Sequence, residues 1–385
     1  MGSLKMYRKL ILLFVLIILI SELSFGQVRV RLFANQTPES AVFTVNKGKY
    51  EVNAYHDETM FITNGEPVSI TRFNGKIAIK SRNSSGFVCD SVLIKGLTGD
   101  DNFSLRINEG TPLKQFYSGD LQCFPDLGTM LLINICNVED YVAGVVKSEG
   151  GNGKNLEFCK TQALLVRTYM YKYFNRHLID KYNLCDNTHC QAFNGITSDT
   201  IVTRAALETK GLVVLDRDSI LIISAFHSNC GGETSEPKDV WLFSPSYLMK
   251  VVDPYCISSR NAKWQKNIAY PEWVSYLRKS GYNGDISNPS VFSFSQIKRL
   301  PEYRVGSFTL PLRLIRSDMN LRSTFFSVFA SGDSVLLKGR GYGHGVGLCQ
   351  EGAMEMARKG FNYRQIISFY YSGVFISDIK NAVVN

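Results

Sequence analysis

The spacing of the apolar residues changes near residue 131, and this change limits the folds open to the chain. Residues 27 to about 135 contain short runs in which apolar and polar residues alternate, as in "VRVRLF" and "KIAIKS", separated by Gly, Asn, Asp and Pro. From Leu156 to Phe174 the apolar residues recur every three or four positions, which predicts a helix capped by Asn155. Because runs of strands and runs of helices are segregated, we predict an α+β fold.

The first 26 residues have the parts of a secretory signal peptide. Basic residues precede an apolar run from Leu10 to Ile20, and small residues around Gly26 follow it. The apolar run is shorter than the roughly 18 to 20 residues that span a bilayer, which argues against a membrane anchor. We expect export to the periplasm or cell envelope, with cleavage near Gly26.

Beyond the signal segment we predict two parts. Residues 27–130 form a β-rich N-terminal part, and residues 131–380 form a mixed helix and strand core that contains a substrate groove. Within this core, strands are expected to return over residues 306–338, and two helices close the chain.

The net charge indicates which macromolecules the chain could bind, and the cysteine count bears on disulfides and metals. A formal net charge of +9 suits an anionic partner such as a cell-wall polymer or a membrane surface. Export, and the lack of a block of Lys and Arg, argue against nucleic acid. The chain has 9 cysteines, and an odd number leaves at least one thiol unpaired or bound to a metal.

The stretch "GRGYGHGVGLCQEGAMEMARKG" has a glycine at every second position from Gly339 to Gly347. Neither the dinucleotide fingerprint nor the Walker pattern matches this spacing, so we expect no organic cofactor. In an extended segment the glycines would leave one side bare for a polysaccharide or a neighbouring strand, with His344 on the other side. A helix is expected over Gln350–Lys359, ended by Gly360.

Five stretches stand in a fixed order along the chain: "EDYVAGVVKSEGGNGKNLEFCKTQALLVRTYMY", "CDNTHCQAF", "FHSNCGGETSEPKDVW", a following "YL", and the glycine stretch with "YRQIISFYYSGV". In this order they resemble the stage II sporulation protein D and amidase-enhancer (LytB) family, most firmly from about 131 to 378. The resemblance implies action on peptidoglycan. Enzymes of this family are lytic transglycosylases that cleave glycan strands, and other relatives modify cell-wall amidases.

The resemblance implies that Glu149 is the catalytic acid, because "LEFCKTQA" follows it in the family's register. The chain departs from the family at Gly150-Gly151, where Met-Pro is usual. In a lytic transglycosylase one carboxylic acid protonates the glycosidic oxygen and then accepts the proton of the sugar's own C6 hydroxyl. We expect Glu149 in a glycine-containing turn between two helices. The residues alone, without the resemblance, favour a solvated turn glutamate.

Further polar residues are candidates for contacts with sugar hydroxyls or acetamides. They are Gln162, Arg167, His227, Ser228, His344 and Gln350. The alternative for the arginine, the glutamines and the histidines is pairing within the fold. A Ser-His hydrolase is disfavoured, because neighbouring residues of a strand point to opposite faces and no nucleophile elbow is present.

The segment "CDNTHC" supplies Cys185, His189 and Cys190, three soft ligands for a structural zinc ion. His177 is the first candidate for the fourth ligand, ahead of Cys230 and His227. Some members of the resembled family bind zinc through such a cluster. The alternative is a disulfide between Cys185 and Cys190, which an oxidising compartment would favour. For function we expect a peptidoglycan lytic transglycosylase, and the alternative is a non-catalytic wall-binding protein that stimulates an amidase.

Overall fold

The computed structural model describes residues 26–54, 59–82, 84–107, 115–150, 155–241 and 243–383. The chain divides into two compact units, Met1–Lys210 and Gly211–Asn385. The predicted signal peptide falls outside the described residues except for Gly26, and the predicted boundary at residue 130 falls inside the first unit. Within the described ranges, no helix combines the length and apolarity needed to cross a membrane.

Short strands with alternating burial dominate the first unit. They are β1 (Gln27–Leu32), β2 (Ser40–Lys47), β3 (Lys49–Asn53), β4 (Thr59–Thr63), β5 (Pro67–Phe73), β6 (Lys76–Ser81), β7 (Phe87–Cys89), β8 (Val92–Gly96), β9 (Asn102–Ile107), β10 (Gln115–Ser118), β11 (Asp120–Asp126), β12 (Thr129–Asn137) and β13 (Leu184–Cys185). In β2, for example, Ala41, Phe43 and Val45 are buried and the residues between them are not. This is the period of two that the sequence predicts.

These strands form two sheets. One has the order β13-β1-β12-β11-β8-β3-β4, and the other has the order β10-β9-β2-β5-β6-β7. Neighbouring strands run antiparallel apart from β13, which pairs in parallel with β1 through Val30 to Leu184 and Arg31 to Cys185. Through this pairing, the sheet holds the start of the cysteine and histidine segment.

Among the described residues, the first unit also has the α-helices α1 (Val138–Gly150), α2 (Leu156–Lys172) and α3 (Thr200–Glu208). The predicted cap of α2 is confirmed, because the Asn155 side chain accepts hydrogen bonds from the amides of Glu157 and Phe158. The predicted apolar face of α2 is buried at Cys159, Ala163, Val166 and Met170. The described chain is therefore mixed helix and strand with several sheets, as the α+β class requires.

The second unit contains the remaining elements. Its strands are β14 (Leu212–Leu215), β15 (Phe226–His227), β16 (Lys263–Ala269), β17 (Glu302–Val305), β18 (Phe308–Pro311), β19 (Phe326–Ser331), β20 (Ser334–Arg340), β21 (Leu348–Cys349) and β22 (Phe375–Asp378). Its helices are α4 (Tyr270–Lys279), α5 (Leu312–Asp318), α6 (Gln350–Arg358) and α7 (Tyr363–Tyr370). The sheet β16-β20-β19 packs with α4 and α5 around a core that includes Trp273, Phe292 and Tyr303.

The prediction of continuous strands over residues 306–338 is wrong at α5. Leu310, Leu312 and Leu314 alternate along the sequence, which suggests a strand, but the structure buries Leu312 and Ile315, which lie one helical turn apart. A short apolar segment can fit both the two-residue period of a strand and the 3.6-residue period of a helix. In this segment, packing against the rest of the unit favours the helix.

The glycine stretch is extended only as far as Arg340, where β20 ends. Beyond that residue, the expectation of an extended segment is wrong, because Gly341, Gly343, Gly345 and Gly347 all have positive φ angles, between 71° and 109°. A Cβ atom on Gly347 would lie 2.2 Å from the carbonyl oxygen of Ala225, and one on Gly343 would lie 2.8 Å from the Cβ atom of His227. The side of the stretch that lacks side chains thus faces neighbouring backbone. Of the two possibilities that the sequence left open, a polysaccharide or a neighbouring strand, the structure shows the second.

Candidate active site

Glu149 lies in the last turn of α1, and the expectation that it stands in a turn between helices is therefore wrong. Its side chain is half-buried, and its Oε1 accepts a hydrogen bond of 2.9 Å from the backbone amide of Ala192. Burial raises the pKa of the Glu149 carboxyl, and the hydrogen bond from Ala192 opposes this shift. A carboxyl group in this setting keeps its proton to a higher pH than an exposed glutamate does.

The segment that carries Ala192 packs closely on α1. The buried ring of Phe193 lies 5.1 Å from the ring of Tyr141, and a Cβ atom on Gly144 would come within 2.6 Å of the Phe193 ring. Because Gly144 has no side chain, the Phe193 ring can pack against α1 at this point. This packing places the neighbouring Ala192 amide beside the Glu149 carboxylate. Sequence reasoning missed Ala192 because it acts through its backbone, and only its place in the "CDNTHCQAF" stretch could have indicated it.

The structure brings together all four predicted zinc ligands, His177, Cys185, His189 and Cys190, whose donor atoms lie within 4.8 Å of one another. The Sγ of Cys190 lies 3.6 Å from Nε2 of His177 and 3.6 Å from Nδ1 of His189, which is also 3.6 Å from Sγ of Cys185. Tetrahedral zinc with ordinary bond lengths places sulfur and nitrogen ligands about 3.6 Å apart. The four side chains therefore fit a zinc ion.

The electrostatics of this cluster favour one thiolate. A hydrogen bond from Cys185 lowers the pKa of the Cys190 thiol, and His177 and His189 act in the same direction. The same interaction with Cys190, together with burial, raises the pKa of Cys185. A cation is therefore needed to hold both sulfurs as thiolates, the form in which cysteine binds metals.

Two of the predicted sugar contacts in the first unit are fully buried. Arg167 donates to both carboxylate oxygens of Glu139 in α1 and, over 3.1 Å, to the carbonyl of Ala206 in α3. Gln162 is also 0% exposed. For Arg167 this geometry is the pairing within the fold that the sequence left open, and it makes Arg167 the link between three helices, one of which carries Glu149.

In the second unit the two predicted histidines lie together, with their ring centroids 5.5 Å apart. Nδ1 of His227 donates to the carbonyl of Val346, and Nε2 of His344 donates to the carbonyl of Phe226 while its Nδ1 accepts from the Val346 amide. Burial lowers the pKa of His227 and lowers that of His344 to about 4. Both rings are therefore neutral at neutral pH, with defined tautomers.

The surroundings of these rings differ. His227 is buried, and within the part of the chain that the structure describes, its Nε2 has no hydrogen-bond partner. His344 keeps partial exposure, and its ring centroid lies 5.7 Å from that of Trp241. Ser228 is half-buried and accepts from Asn261, and Gln350 is buried at the start of α6.

Comparison with known proteins gives a family. Residues 126–215 match the family model SpoIID, stage II sporulation protein, a range that includes Glu149 and the four zinc-ligand candidates. An uncharacterized protein of Brachyspira hyodysenteriae is 27% identical over 90% of this chain and 94% of its own length.

Two relatives from Bacillus subtilis carry names. Stage II sporulation protein D is 29% identical over 63% of this chain and 74% of its own length. The amidase enhancer is 26% identical over 61% of this chain and 40% of its own length. Residues 126–215 therefore match a SpoIID domain, and the chain around them is similar to stage II sporulation protein D and to the amidase enhancer.

Proposed function

We propose that this chain is an exported peptidoglycan lytic transglycosylase in which Glu149 is both general acid and general base. The family match and the similarity to an amidase enhancer support a role related to the cell wall. The observation that carries the finer proposal is the half-buried carboxyl of Glu149, whose pKa burial raises and whose Oε1 accepts a hydrogen bond from the Ala192 amide. The signal segment over residues 1–26 supports export.

The proposed reaction needs one carboxyl group. Protonated Glu149 gives its proton to the glycosidic oxygen as the bond between that oxygen and C1 of the muramyl residue breaks. The carboxylate then takes the proton of the C6 hydroxyl of the same residue, and O6 closes on C1 to form a 1,6-anhydro ring. Both protons pass through one residue, so Glu149 ends the cycle protonated and no water is consumed. The Ala192 amide holds the carboxylate during the second step.

Residues of the second unit are the proposed sugar contacts. His344 is partly exposed beside Trp241, and Ser228 is half-buried, so both can offer polar atoms to sugar hydroxyls. The buried His227 and Gln350 are proposed as supports of the elements that carry these groups. The buried Gln162 and Arg167 are proposed as supports of the helices of the first unit.

The test of this function is a product analysis. The purified chain, without its signal segment, is incubated with peptide-stripped glycan strands, and the products are separated and identified by mass spectrometry. We expect 1,6-anhydro-muramyl ends that increase with time. If the native chain makes none, the enzymatic proposal fails, and stimulation of an amidase becomes the function to measure.

The raised pKa of Glu149 predicts the pH dependence of cleavage. Because the acid form is the active one in the proposed first step, kcat/KM should fall as the pH rises through the pKa of Glu149, which burial raises above the usual value for glutamate. The same shift affects the free energy of unfolding, because the folded chain holds this proton more tightly than the unfolded chain does. Its contribution to stability is present at low pH and is lost as the pH rises through the raised pKa. A pH–rate profile with glycan strands checks this, and a rate that rises over this range contradicts it.

We propose a structural zinc ion at His177, Cys185, His189 and Cys190. When bound, the ion cross-links this segment, and because Cys190 stands two residues before Ala192, the cross-link also holds the amide that contacts Glu149.

Cys185→Ser is expected to lower the zinc content by about one ion per chain. Cys159→Ser, which changes a buried thiol in α2, is the matched control and should keep the zinc. Elemental analysis of the full chain measures both variants. An unchanged zinc content in Cys185→Ser, or a disulfide found in the peptide that spans residues 185–190, contradicts the site.

A further inference from the structure

A second cluster of soft donors lies in the core of the second unit. Cys230, Asp253, Cys256 and Cys349 each offer one donor atom, and these atoms all lie within 4.8 Å of one another. All four residues are 0% exposed. They come from three separate segments, so the fold and not a local motif assembles them.

The distances within the cluster suit a tetrahedral ion. The Sγ of Cys230 lies 3.3 Å from Sγ of Cys256 and 3.2 Å from Oδ2 of Asp253. Zinc in tetrahedral coordination places two sulfurs about 3.8 Å apart and a sulfur and an oxygen about 3.5 Å apart. Both distances are shorter than these values, by about 0.5 and 0.3 Å, and all the donor atoms lie within 4.8 Å of one another, so the four groups are close enough to share one ion.

The charge of the cluster calls for a cation. The Asp253 carboxylate accepts from the Tyr255 amide over 2.8 Å, from the Cys230 thiol and from the Tyr370 hydroxyl over 2.9 Å, and none of these three partners is positively charged. Arg299 comes near, but its Nη2 donates to the backbone carbonyl of Cys230 over 2.7 Å. A buried carboxylate without a charged partner is costly, and a metal ion would neutralise it.

Backbone amides already point at the sulfur atom of Cys349. The Sγ of Cys349 accepts from the amide of Cys230 over 3.2 Å and from the amide of Gly352 over 3.4 Å, and it caps the N-terminus of α6. Such amides stabilise sulfur as thiolate, the form that binds metals.

Residues around the donors orient the Asp253 carboxylate. The Tyr370 hydroxyl of α7 fixes Oδ2 of Asp253, and Gly352 leaves no space beside them, because a Cβ atom there would lie 2.3 Å from each oxygen. An outer hydrogen bond of this kind orients a ligating carboxylate in metal sites.

We propose that Cys230, Asp253, Cys256 and Cys349 bind one zinc ion as a closed structural site. Four protein ligands and complete burial leave no open position for water or substrate, which is the pattern of structural zinc. Cys230 stands three residues after His227, and Cys349 stands five residues after His344. The ion would thus join the two segments that hold the histidine pair.

The test measures zinc in the full chain without using enzymatic activity, so its result is independent of the proposed function. The chain is purified with a reductant, stripped with a chelator, titrated with zinc and analysed by native mass spectrometry. We expect about two zinc ions per native chain and about one in each of Cys185→Ser and Cys349→Ser. Cys123→Ser, a buried thiol outside both clusters, should keep both ions.

Two further measurements guard against a variant that fails to fold. Asp253→Asn keeps the size of the side chain and should weaken binding of the second zinc ion about 10- to 100-fold. Cobalt(II) added to the stripped Cys185→Ser variant should give thiolate-to-cobalt charge-transfer absorption. The double variant that combines Cys185→Ser with Cys349→Ser should not give this absorption. A zinc content that neither Cys349→Ser nor Asp253→Asn changes overturns the proposal. So does a disulfide between Cys230 and Cys256 in the reductant-purified chain.

Discussion

Glu149→Gln is expected to lower kcat/KM for glycan strands by about 10²- to 10⁴-fold, the usual contribution of a general acid and base. Glutamine keeps the size of the side chain and can still accept the hydrogen bond from Ala192, but it has no proton for the glycosidic oxygen and no basic oxygen for the C6 hydroxyl. Because the carboxyl is half-buried and burial disfavours its charge, the variant should fold at least as well as the native chain.

The matched control is Glu208→Gln, which makes the same change at the last residue of another helix of the first unit. Glu208 pairs with Lys160 and Arg204 at the surface, so its variant should cleave at the native rate. Initial rates of anhydro-end formation give both values. Equal rates for the native chain and Glu149→Gln would show that Glu149 has no catalytic role.

Arg167→Met is expected to lower the free energy of unfolding by about 3 to 5 kcal/mol, because it leaves the buried carboxylate of Glu139 without its charged partner. The arginine also donates to Ala206, so its loss loosens three helices at once. Combining the change with Glu139→Leu removes the unpaired charge and should recover a large part of the loss.

Arg204→Met, an exposed arginine of α3 paired with Glu208, is the comparison and should cost less than about 1 kcal/mol. Urea unfolding of the full chain measures all of these variants. If Arg167→Met costs no more than Arg204→Met, the buried pair does not stabilise the helices that hold Glu149.

The features that follow a local pattern could be predicted from the sequence. The spacing of three and four residues in α2, its cap at Asn155 and the alternation in the N-terminal strands all appear in the structure. The four donors around His177 and Cys190 could also be predicted, because they lie within fourteen residues of one another.

Features that depend on tertiary contacts could not be predicted. The glycine spacing from Gly339 to Gly347 fits an extended strand and a segment with positive φ angles at alternate residues equally well, and only the approach of the backbone near Ala225 decides between them. Arg167 has a polar side chain at a position that the structure encloses completely. The cluster of Cys230 and Cys349 joins residues that the sequence separates by more than a hundred positions.

The proposed reaction consumes no water, and digestion in water labelled with oxygen-18 tests this property. Glycan strands are incubated with the purified chain in labelled water, and the new ends are analysed by mass spectrometry. We expect anhydro-muramyl ends that carry no label, because O6 of the substrate closes the ring. New reducing ends that carry one labelled oxygen would show hydrolysis, and they would contradict the role of Glu149 as the acid and base of a lytic transglycosylase.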